Sequence, residues 1–490
     1  MARLAAVDLG AQSGRVAVGY FDGSRLTVEE VHRFPNGPVD DGGRLRWDFG
    51  ALWRETVAGL HGAARDGRVD AVGVDSWAVD FGLLDRRGTL VEPPVHYRDP
   101  LRAAAASDLY AAIPPRELYD RTGIQLLPIN TIVELAGMAA RGEPALAAAD
   151  VLLLVPDLVH ERLCGTRVTE RTNASTTQCV DAATGAWADD LLERVDVPVR
   201  VFPPIVDPGA ELGRADAASG IPGAAVIAVA THDTGSAVAA VPLRGPGSVY
   251  LSVGTWSLVG VEVRRPLIDD RSYAANLTNE GGVEGTTRLL RNVTGLWLLD
   301  ECRRAWSSAG RVYSFDELMR LAGEAPPLRS FVDPDAEAFA APGDMPGRIA
   351  AFCRESGQAP PASDADVVRC VLESLALKHA YVVELLREAA GVEPTELNVV
   401  GGGSRNELLC RWTAHAAELP VVAGPEEATL IGNLLVQAIA LGELASVGDA
   451  REVVRASFPQ HVYEPSQAPE WREARERFAP LIDAPVEVSA

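Results

Sequence analysis

The sequence carries one short structural plan twice, about half a chain apart. Apolar residues alternate at residues 4–8, a turn bracketed by glycines follows, and the alternation resumes at residues 15–20, a pattern typical of a β-hairpin. The same order of strand, small polar turn and strand recurs at residues 248–260. Two copies of one plan predict duplicated domains that face each other across a cleft.

The length of the chain fits this arrangement. At 490 residues it exceeds what one hydrophobic core usually supports, so two domains of about 200 to 250 residues each are expected. Prolines and glycines at residues 242–247 break any regular element between the two periodic regions. We therefore predict a first domain at residues 1–242, a second domain at residues 243–470 and a C-terminal tail at residues 471–490.

Strand and helix signals alternate in the first half. Residues 69–75 and 225–230 are apolar runs of strand length, and a helical pattern lies near residues 53–64. This alternation predicts an α/β fold.

The second half gives the same type of signal. Ser363 can cap a helix in which apolar residues recur at helical spacing until Gly391, a typical stop. A strand pattern at residues 397–400 follows and ends in three glycines at residues 401–403. A glycine run between a strand and a helix lets the backbone approach a ligand and directs free amides at it.

Composition disfavours several kinds of partner and compartment. The formal net charge of -23 argues against nonspecific binding to nucleic acid or to anionic membranes, because their phosphates would be repelled. No apolar run approaches the roughly 20 residues that span a bilayer, and we predict a cytoplasmic protein. Six widely spaced cysteines without a C-x-x-C pair predict reduced thiols. A bridge between Cys353 and Cys370 is the alternative.

One residue count excludes whole classes of enzyme. Lys378 is the only lysine in the chain, and it lies in a helical pattern with no glycine-rich loop before it. Walker P-loop proteins and protein kinases use a lysine on the nucleotide phosphates, and Schiff-base enzymes use one as the nucleophile. A nucleotide site in this chain must therefore use backbone amides, hydroxyls, arginine and metal.

Asp233 is the candidate general base. It follows the apolar run at residues 225–230 and precedes a small-residue helix start at Thr234, so its carboxylate should project from the carboxyl end of a sheet. Phosphoryl transfer to an alcohol requires removal of the hydroxyl proton, which aspartate performs in other kinases. The alternative role is a helix-capping aspartate. His232 alone is more often a hydrogen-bonding histidine than a catalyst.

Asp8 is the candidate metal ligand. It ends the first apolar strand just before the turn, where a carboxylate can hold Mg²⁺ beside nucleotide phosphates, directly or through water. The alternative is a turn cap. In the turn itself, Gly10, Ser13 and Gly14 offer amides and a hydroxyl, and Arg15 offers a fixed charge.

Taken together, these motifs resemble those of the FGGY family of carbohydrate kinases. The resemblance covers most of the chain, in order, and it implies two actin-like, ribonuclease-H-like domains around a central cleft. The matching segments are residues 7–11, 13–16, 73–75, 77, 79–81, 123–125, 127–128, 172–174, 232–234, 254–258, 276–282, 295–299 and 401–403.

The resemblance implies phosphorylation of a ketose by MgATP. The implied substrate is L-rhamnulose, which would be converted at its 1-hydroxyl to L-rhamnulose 1-phosphate with release of ADP. Residues 77–81 and 295–299 favour this sugar over those of xylulose and glycerol kinases. One alternative is a kinase for L-fuculose or D-xylulose. Another is a noncatalytic actin-like ATP-binding scaffold, which would have no use for Asp233 beside a polyol-binding loop. The oligomeric state stays open.

The same resemblance assigns residues to roles. Asp233 would be the general base, and Asp8 would lie near the metal. The ketose would be held by Ala78, His232, Asp233 and Thr234. ATP would be contacted by Ala11, Gln12, Ser13, Gly14, Arg15, Thr255, Asn292, Asp300 and Gly402.

Two positions depart from the family pattern. Ala78 stands where the family has a glycine, which is harmless if the contact uses the backbone and φ there is negative. Asp300 stands where a glutamine is expected. Its carboxylate would repel phosphates unless a cation, Arg303 or Arg304 compensates.

Overall fold

A computed structural model describes residues 2–466 and 468–482 of the chain. Its two large sheets have six strands in the first half of the chain and seven in the second. The strands are β1 (Ala2–Leu9), β2 (Ser13–Phe21), β3 (Leu26–Pro35), β4 (Val39–Asp41), β5 (Arg44–Arg46), β6 (Ala71–Ser76), β7 (Phe81–Leu84), β8 (Val151–Leu154), β9 (Thr169–Glu170), β10 (Ile205–Val206), β11 (Ala210–Arg214), β12 (Ala225–Ala228), β13 (Ser248–Val253), β14 (Trp256–Val263), β15 (Thr278–Gly281), β16 (Thr287–Thr294), β17 (Glu396–Val400), β18 (Val421–Ala423) and β19 (His461–Tyr463).

Helices cover the faces of both sheets. Across the described ranges, no helix combines the length and apolar character needed to cross a membrane. The α-helices are α1 (Phe49–Ala63), α2 (Pro100–Ala104), α3 (Ala106–Ala112), α4 (Pro115–Thr122), α5 (Thr131–Ala140), α6 (Pro144–Ala148), α7 (Val155–Cys164), α8 (Arg171–Ala174), α9 (Asp189–Arg194), α10 (Asp233–Ala239), α11 (Asp270–Ala274), α12 (Trp297–Ser308), α13 (Phe315–Glu324), α14 (Met345–Glu355), α15 (Asp364–Ala390), α16 (Glu407–Ala417), α17 (Ala428–Ala440), α18 (Val447–Ser457) and α19 (Pro469–Phe478).

The first sheet is built around β1, with strand order β11-β12-β6-β1-β2-β3. Because α17 covers one face and α1 the other, β1 is buried on both sides: Leu4 packs with the α17 core, and Val7 with the α1 core. β1 pairs antiparallel with β2 and parallel with β6, so that Asp8 lies opposite Arg15 on one side and Asp75 on the other. The carboxyl ends of β1 and β6 therefore bring two carboxyl groups side by side.

The second sheet repeats the plan of the first. Its order is β15-β16-β14-β13-β17-β18-β19, and β13 pairs antiparallel with β14 and parallel with β17. In both sheets, the first strand of the hairpin lies in the middle and runs parallel to a later strand. The predicted hairpins at both sites and the α/β fold class are confirmed.

The long helix α15 begins and ends as its sequence predicts. The Ser363 side chain accepts a hydrogen bond from a first-turn amide, and Gly391 ends the helix with a φ of +63°. Lys378 is fully buried in it, with its ammonium 2.7 Å from Asp333 and 3.0 Å from Asp335. The only lysine of the chain is thus held by two carboxylates in the second core.

All six cysteines are free thiols, as predicted. The thiol of Cys353 hydrogen-bonds with that of Cys370, which lowers the pKa of Cys353 and raises that of Cys370. The alternative disulfide between these residues is not formed.

The last helix, α19, belongs to the core of the second half. Trp471, Ala474 and Phe478 are buried there among residues of the second sheet and α15. This helix overlaps the start of the predicted tail at residues 471–490, of which residues 483–490 lie outside the described part. The predicted domain boundaries stay predictions.

The two halves meet where α10 crosses α17. A Cβ atom added to Gly432 would lie 1.8 Å from the carbonyl oxygen of Ser236. Next to this crossing, Asn433 donates to Asp75 over 2.6 Å, and Gln437 donates to the carbonyl of Ala5 over 2.8 Å. A helix of the second half is therefore fixed directly to the first sheet.

The close crossing predicts that position 432 tolerates no side chain. We expect Gly432→Ala to lower the free energy of unfolding by about 1–3 kcal/mol, because the added methyl forces α10 and α17 apart. Urea unfolding measures this change. Gly62→Ala in α1 is the matched control, since its Cβ would lie 3.7 Å from the nearest atom; it should be neutral or stabilising by about 0.4–1 kcal/mol. Equal effects at both positions would contradict the importance of the crossing.

Candidate active site

A cavity of about 440 Å³ lies between the halves and is lined by residues of both. The two glycine turns, the start of α10 and the glycine run after β17 all reach it. The predicted site residues on its wall are Asp8, Ala11, Gln12, Ser13, Arg15, Ala78, His232, Asp233, Thr234, Thr255, Asn292, Asp300 and Gly402.

Gly14 is the one predicted site residue that does not line this cavity. It lies opposite Phe34 in the pairing of β2 with β3, and an added Cβ would lie 2.1 Å from the Phe34 ring. A glycine is required there by packing against an aromatic ring. Its predicted contact with ATP stays a prediction.

Asp233 is the first residue of α10, and His232 occupies the N-cap position. The amide and the hydroxyl of Thr234 both donate to Asp233 Oδ1. Burial raises the pKa of Asp233, and His232 opposes the shift. The side chain nevertheless keeps 32% of its surface open to the cleft. A carboxyl group with a raised pKa is a better proton acceptor once ionised, which suits a general base.

The imidazole of His232 is held by a buried ion pair from the second half. Arg288 Nη2 lies 3.0 Å from His232 Nδ1 and 3.1 Å from Glu280 Oε2. Arginine can only donate, so its contact favours an Nδ1 that accepts, whereas Glu280 Oε2, 3.3 Å from the same nitrogen, favours an Nδ1 that carries a proton. The other ring nitrogen, Nε2, lies 3.4 Å from Asp233 Oδ1. Burial alone would raise the pKa of Glu280, but Arg288 and His232 lower it below its usual value.

This ion pair was missed in the sequence analysis. Glu280 and Arg288 are cross-strand partners of β15 and β16 and are 3% and 0% exposed, respectively. Their role depends on a strand register and on contact with a residue of the other half. The only signal in the sequence is the position of Glu280 inside the matching segment 276–282.

Asp75 is a second carboxyl group that the sequence analysis did not assign to the site. Its Oδ2 accepts from Asn433, whereas the buried Oδ1 has no hydrogen-bond partner in residues 2–466 and 468–482. Burial and the neighbouring Asp8 raise the pKa of Asp75 well above its usual value. The carboxyl groups of Asp8 and Asp75 thus lie together at the end of the first sheet, and burial favours the neutral form of Asp75.

Arg15 is the cation nearest to these carboxyl groups. Its guanidinium pairs with Asp8 beside it in the first sheet and with Glu427 from the second half. The charge of Asp8, followed by that of Glu427, raises the pKa of Arg15 above its already high value. In this conformation both ends of the guanidinium contact carboxylates.

Glu170 anchors the chain segment that carries the base. Its carboxylate accepts four hydrogen bonds, from the amide and hydroxyl of Thr172 at 2.7 and 2.5 Å, and from those of Thr231 at 2.9 and 2.8 Å. The Thr172 hydroxyl in turn accepts from the His232 amide at 3.2 Å. The matching motif at residues 172–174 therefore lies directly behind the catalytic candidates.

The loop before β7 forms the wall on the side of Trp77 and Ala78. Ala78 is not among the residues with positive φ. An alanine therefore fits this backbone conformation without strain, although the family has a glycine here. The fully buried Asp80 fixes the loop. It accepts from the indoles of Trp47 and Trp77 at 2.6 and 3.0 Å, from the amide of Tyr97 at 3.1 Å, and from Arg102.

The opposite wall is built from tight backbone turns. An added Cβ at Gly403 would lie 2.2 Å from the side chain of Val253, whereas one at Gly402 would meet nothing within 4 Å. Gly403 therefore lets the turn pack on the end of β13, and Gly402 faces open space. The carbonyl of Thr255 accepts from the amide of Gly295 at 3.0 Å, which fixes the second glycine turn.

Asp300 and Asn292 already have partners in this structure. Asp300 lies 3.7 Å from Arg303 and hydrogen-bonds with Gln12, and burial raises its pKa. Arg304, the other candidate for compensation, pairs with Glu301. Asn292 donates through its amide and its side chain to Gln125 Oε1, at 2.9 and 3.1 Å. Asp300 and Asn292 therefore both contact a residue of the first half across the cleft.

The described residues contain no group of three or more His, Cys, Asp or Glu side chains placed to hold a metal ion. Asp8 is 3% exposed and pairs with Arg15. Its role near the metal stays a prediction.

Two family models match the chain over successive ranges. The N-terminal domain of the FGGY family of carbohydrate kinases matches residues 4–240, and the C-terminal domain of this family matches residues 249–441. Together these matches cover most of the chain. The chain belongs to the FGGY family of carbohydrate kinases, as its motifs predict.

Two relatives that align over nearly the whole chain are both rhamnulokinases. A rhamnulokinase from Bacteroides thetaiotaomicron is 43% identical over 479 residues, which cover 96% of this chain and 98% of that protein. A rhamnulokinase from Enterococcus faecalis is 39% identical over 467 residues, which cover 94% of this chain and 93% of that protein.

Solved structures share the fold at low sequence identity. A xylulose kinase from Lactobacillus acidophilus matches with a TM-score of 0.80 at 16% identity, over 98% of this chain and 97% of that one. A glycerol kinase from Plasmodium falciparum, with ADP, matches with a TM-score of 0.77 at 14% identity, over 99% of both chains. At such identities the likeness concerns the fold alone, and it confirms the predicted two-domain architecture.

The environment of Glu170 predicts a pH dependence of stability. Burial raises the pKa of Glu170 from 4.5 to about 7 in spite of its hydrogen bonds. The folded protein then retains a proton that the unfolded chain loses. The stability that protonated Glu170 contributes to the folded state is therefore complete below pH 4.5 and is lost as the pH rises through about 7.

We expect the free energy of unfolding of the wild type to fall relative to that of Glu170→Gln by about 2–3 kcal/mol between about pH 5 and pH 8. Urea unfolding at several pH values measures both. Glu324→Gln, at an exposed position, is the control and should follow the wild type. A constant difference between wild type and Glu170→Gln would contradict the raised pKa.

Proposed function

We propose that this chain transfers the γ-phosphoryl group of ATP to the 1-hydroxyl of L-rhamnulose and releases L-rhamnulose 1-phosphate and ADP. The observation that carries the proposal is the position of Asp233, at a helix start inside the cavity that both glycine turns line. The choice of sugar is supported by the rhamnulokinases that are 39–43% identical over nearly the whole chain.

In the proposed reaction, Asp233 accepts the proton of the 1-hydroxyl as this oxygen attacks the phosphorus. With its proton on Nε2, 3.4 Å from the carboxylate, His232 would orient the carboxylate or a ketose oxygen. A hydrogen bond from Arg288 to Nδ1 would hold the imidazole in this tautomer. Proton removal by a positioned carboxylate contributes about 10²- to 10⁴-fold in rate, and orientation of the two substrates and electrostatic stabilisation contribute the rest.

The nucleotide would bind at the two glycine turns and at the glycine run after β17. Gly402 offers backbone free of side-chain obstruction, Thr255 and Ser13 offer hydroxyls, and backbone amides can replace the lysine that other kinases use. Asn292 and Asp300 would contact ATP after exchanging their present partners. The proposed contacts of Ala11, Gln12, Gly14 and Arg15 also belong to this site.

The charge of the cleft fits a divalent cation. Asp8 and Asp233 both line the cavity, and Arg15, the neighbouring cation, is already paired with Asp8. Mg²⁺ in phosphoryl-transfer sites is held by one or two carboxylates together with substrate phosphates and water, so Asp8 would suffice as the ligand from the protein. Once bound, the ion would neutralise charge on the transferring phosphoryl group.

A cytoplasmic location is part of the proposal. It is supported by six free thiols, which are stable in a reducing compartment, and by the requirement for ATP. Nucleic acids and membranes are not among the proposed partners.

The role of Asp233 predicts the effect of an isosteric change. Asp233→Asn removes the proton acceptor while it keeps the shape of the side chain, so turnover should fall by about 10²- to 10⁴-fold. Binding of L-rhamnulose, measured by calorimetry, should stay within about threefold of the wild type. Asp269→Asn, which alters a capping aspartate outside the cavity, is the control and should turn over normally. Near-normal turnover of Asp233→Asn would refute the assignment.

The choice of sugar is tested by an ADP-release assay with MgATP and a panel of ketoses. We expect the highest kcat/KM with L-rhamnulose, and nuclear magnetic resonance should locate the phosphate at carbon 1. Higher kcat/KM with L-fuculose or D-xylulose would support the alternative kinase. Absence of ketose-stimulated turnover, together with ATP-dependent sedimentation, would support the noncatalytic scaffold.

A further inference from the structure

Val79 has an unfavourable backbone conformation in the wall of the cavity. Its φ is +68°, in the left-handed region that a β-branched residue rarely adopts. The amide of Asp80 donates to the carbonyl of Ala78 at 3.0 Å, so residues 78–80 form a three-residue turn centred on Val79. Such strain persists only where the surrounding structure enforces it, and it is often found in ligand-binding sites.

Two buried donors enforce this turn. The carbonyl of Val79 accepts from Thr131 Oγ1 at 2.7 Å and from Arg102 Nη2 at 3.0 Å. Both donors are 0% exposed. Arg102 also forms an ion pair with Asp80, the next residue of the turn. We call Thr131, Arg102 and Asp80 the clamp. Two of its members donate to the carbonyl of Val79, and the third, Asp80, is fixed by its ion pair with Arg102.

The turn leaves two backbone donors unused. In the part of the chain that the structure describes, neither the amide of Ala78 nor that of Val79 has a hydrogen-bond acceptor. Both residues line the cavity. Relaxation of Val79 to a negative φ would rotate the peptide between these residues and change the direction of its N–H group.

We propose that the clamp holds Val79 in its left-handed conformation so that the backbone of Ala78 and Val79 is presented to the hydroxyl groups of the ketose. Thr131 and Arg102 are thus positioning residues for sugar binding, although neither contacts the sugar. The inference rests on the proposed function, because it assumes a ketose in this cavity. It also explains why an alanine serves at position 78: the contact uses the backbone, and the strained φ belongs to the next residue.

The test is a pair of substitutions at the clamp and at the strained residue. Thr131→Val is isosteric and removes one donor, while Arg102 keeps the carbonyl of Val79 partnered. We expect it to weaken L-rhamnulose binding, measured by calorimetry, by about five- to tenfold, and to raise KM for the ketose equally. KM for ATP and kcat should change by less than about twofold, because the nucleotide wall and Asp233 are untouched.

Val79→Gly supplies the decisive comparison. Glycine adopts a positive φ without strain and does not need the clamp. In the Val79→Gly background, Thr131→Val should therefore change L-rhamnulose binding by less than about twofold. A general structural role of Thr131 would give the same loss in both backgrounds and would overturn the proposal.

Thr166→Val is the matched control. The Thr166 hydroxyl also donates to a carbonyl, that of Leu212, at 2.7 Å, but it lies outside the cavity wall. It should leave binding of the ketose unchanged. If the wild type neither binds nor phosphorylates L-rhamnulose, the proposed function itself fails. Normal wild-type turnover with unchanged binding by Thr131→Val would overturn the positioning role alone.

Discussion

The contact between α10 and α17 is the constraint on which the rest of the molecule depends. Gly432 brings the second-half helix so close to Ser236 that no side chain fits between them. Asp233 begins one of these helices, and Asn433 on the other donates to Asp75 in the first sheet. The candidate base and the buried carboxyl group are thus positioned by the same crossing. Any movement of α17 relative to the first sheet alters both, so the geometry of the site follows from the packing of the halves.

The charge distribution explains why the proposed nucleotide site relies on a divalent cation. The chain has a net charge of -23 and a single lysine, which is buried in ion pairs away from the cleft. Asp8 and Asp75 lie side by side, and burial raises the pKa of Asp75, which favours its neutral form. A polyanion such as ATP would still need a compensating cation, because Arg15 already pairs with Asp8. Backbone amides and helix starts can then complete recognition without further charged side chains.

Local features of the sequence predicted the hairpins, the caps of α15 and the α/β class, because each depends on residues a few positions apart. Asp8 and Asp233 could be singled out for the same reason, as carboxylates at strand ends. Glu170 could not, since its partner Thr231 lies 61 residues away. Nor could Arg288, which contacts a histidine 56 residues away. The strain at Val79 was also hidden, because a valine gives no signal of a positive φ; only the surrounding clamp imposes it.

Several residues predicted to contact ATP join the two halves in this conformation. Each contact joins a residue of the first half to a residue of the second half. Two of the first-half residues lie at the first glycine turn, and the third lies in the loop after α4. The pairs are Gln12 with Asp300, Arg15 with Glu427, and Gln125 with Asn292. A nucleotide that uses these residues must exchange such contacts for its own. We therefore infer that nucleotide binding and the relative position of the halves are linked through the same side chains.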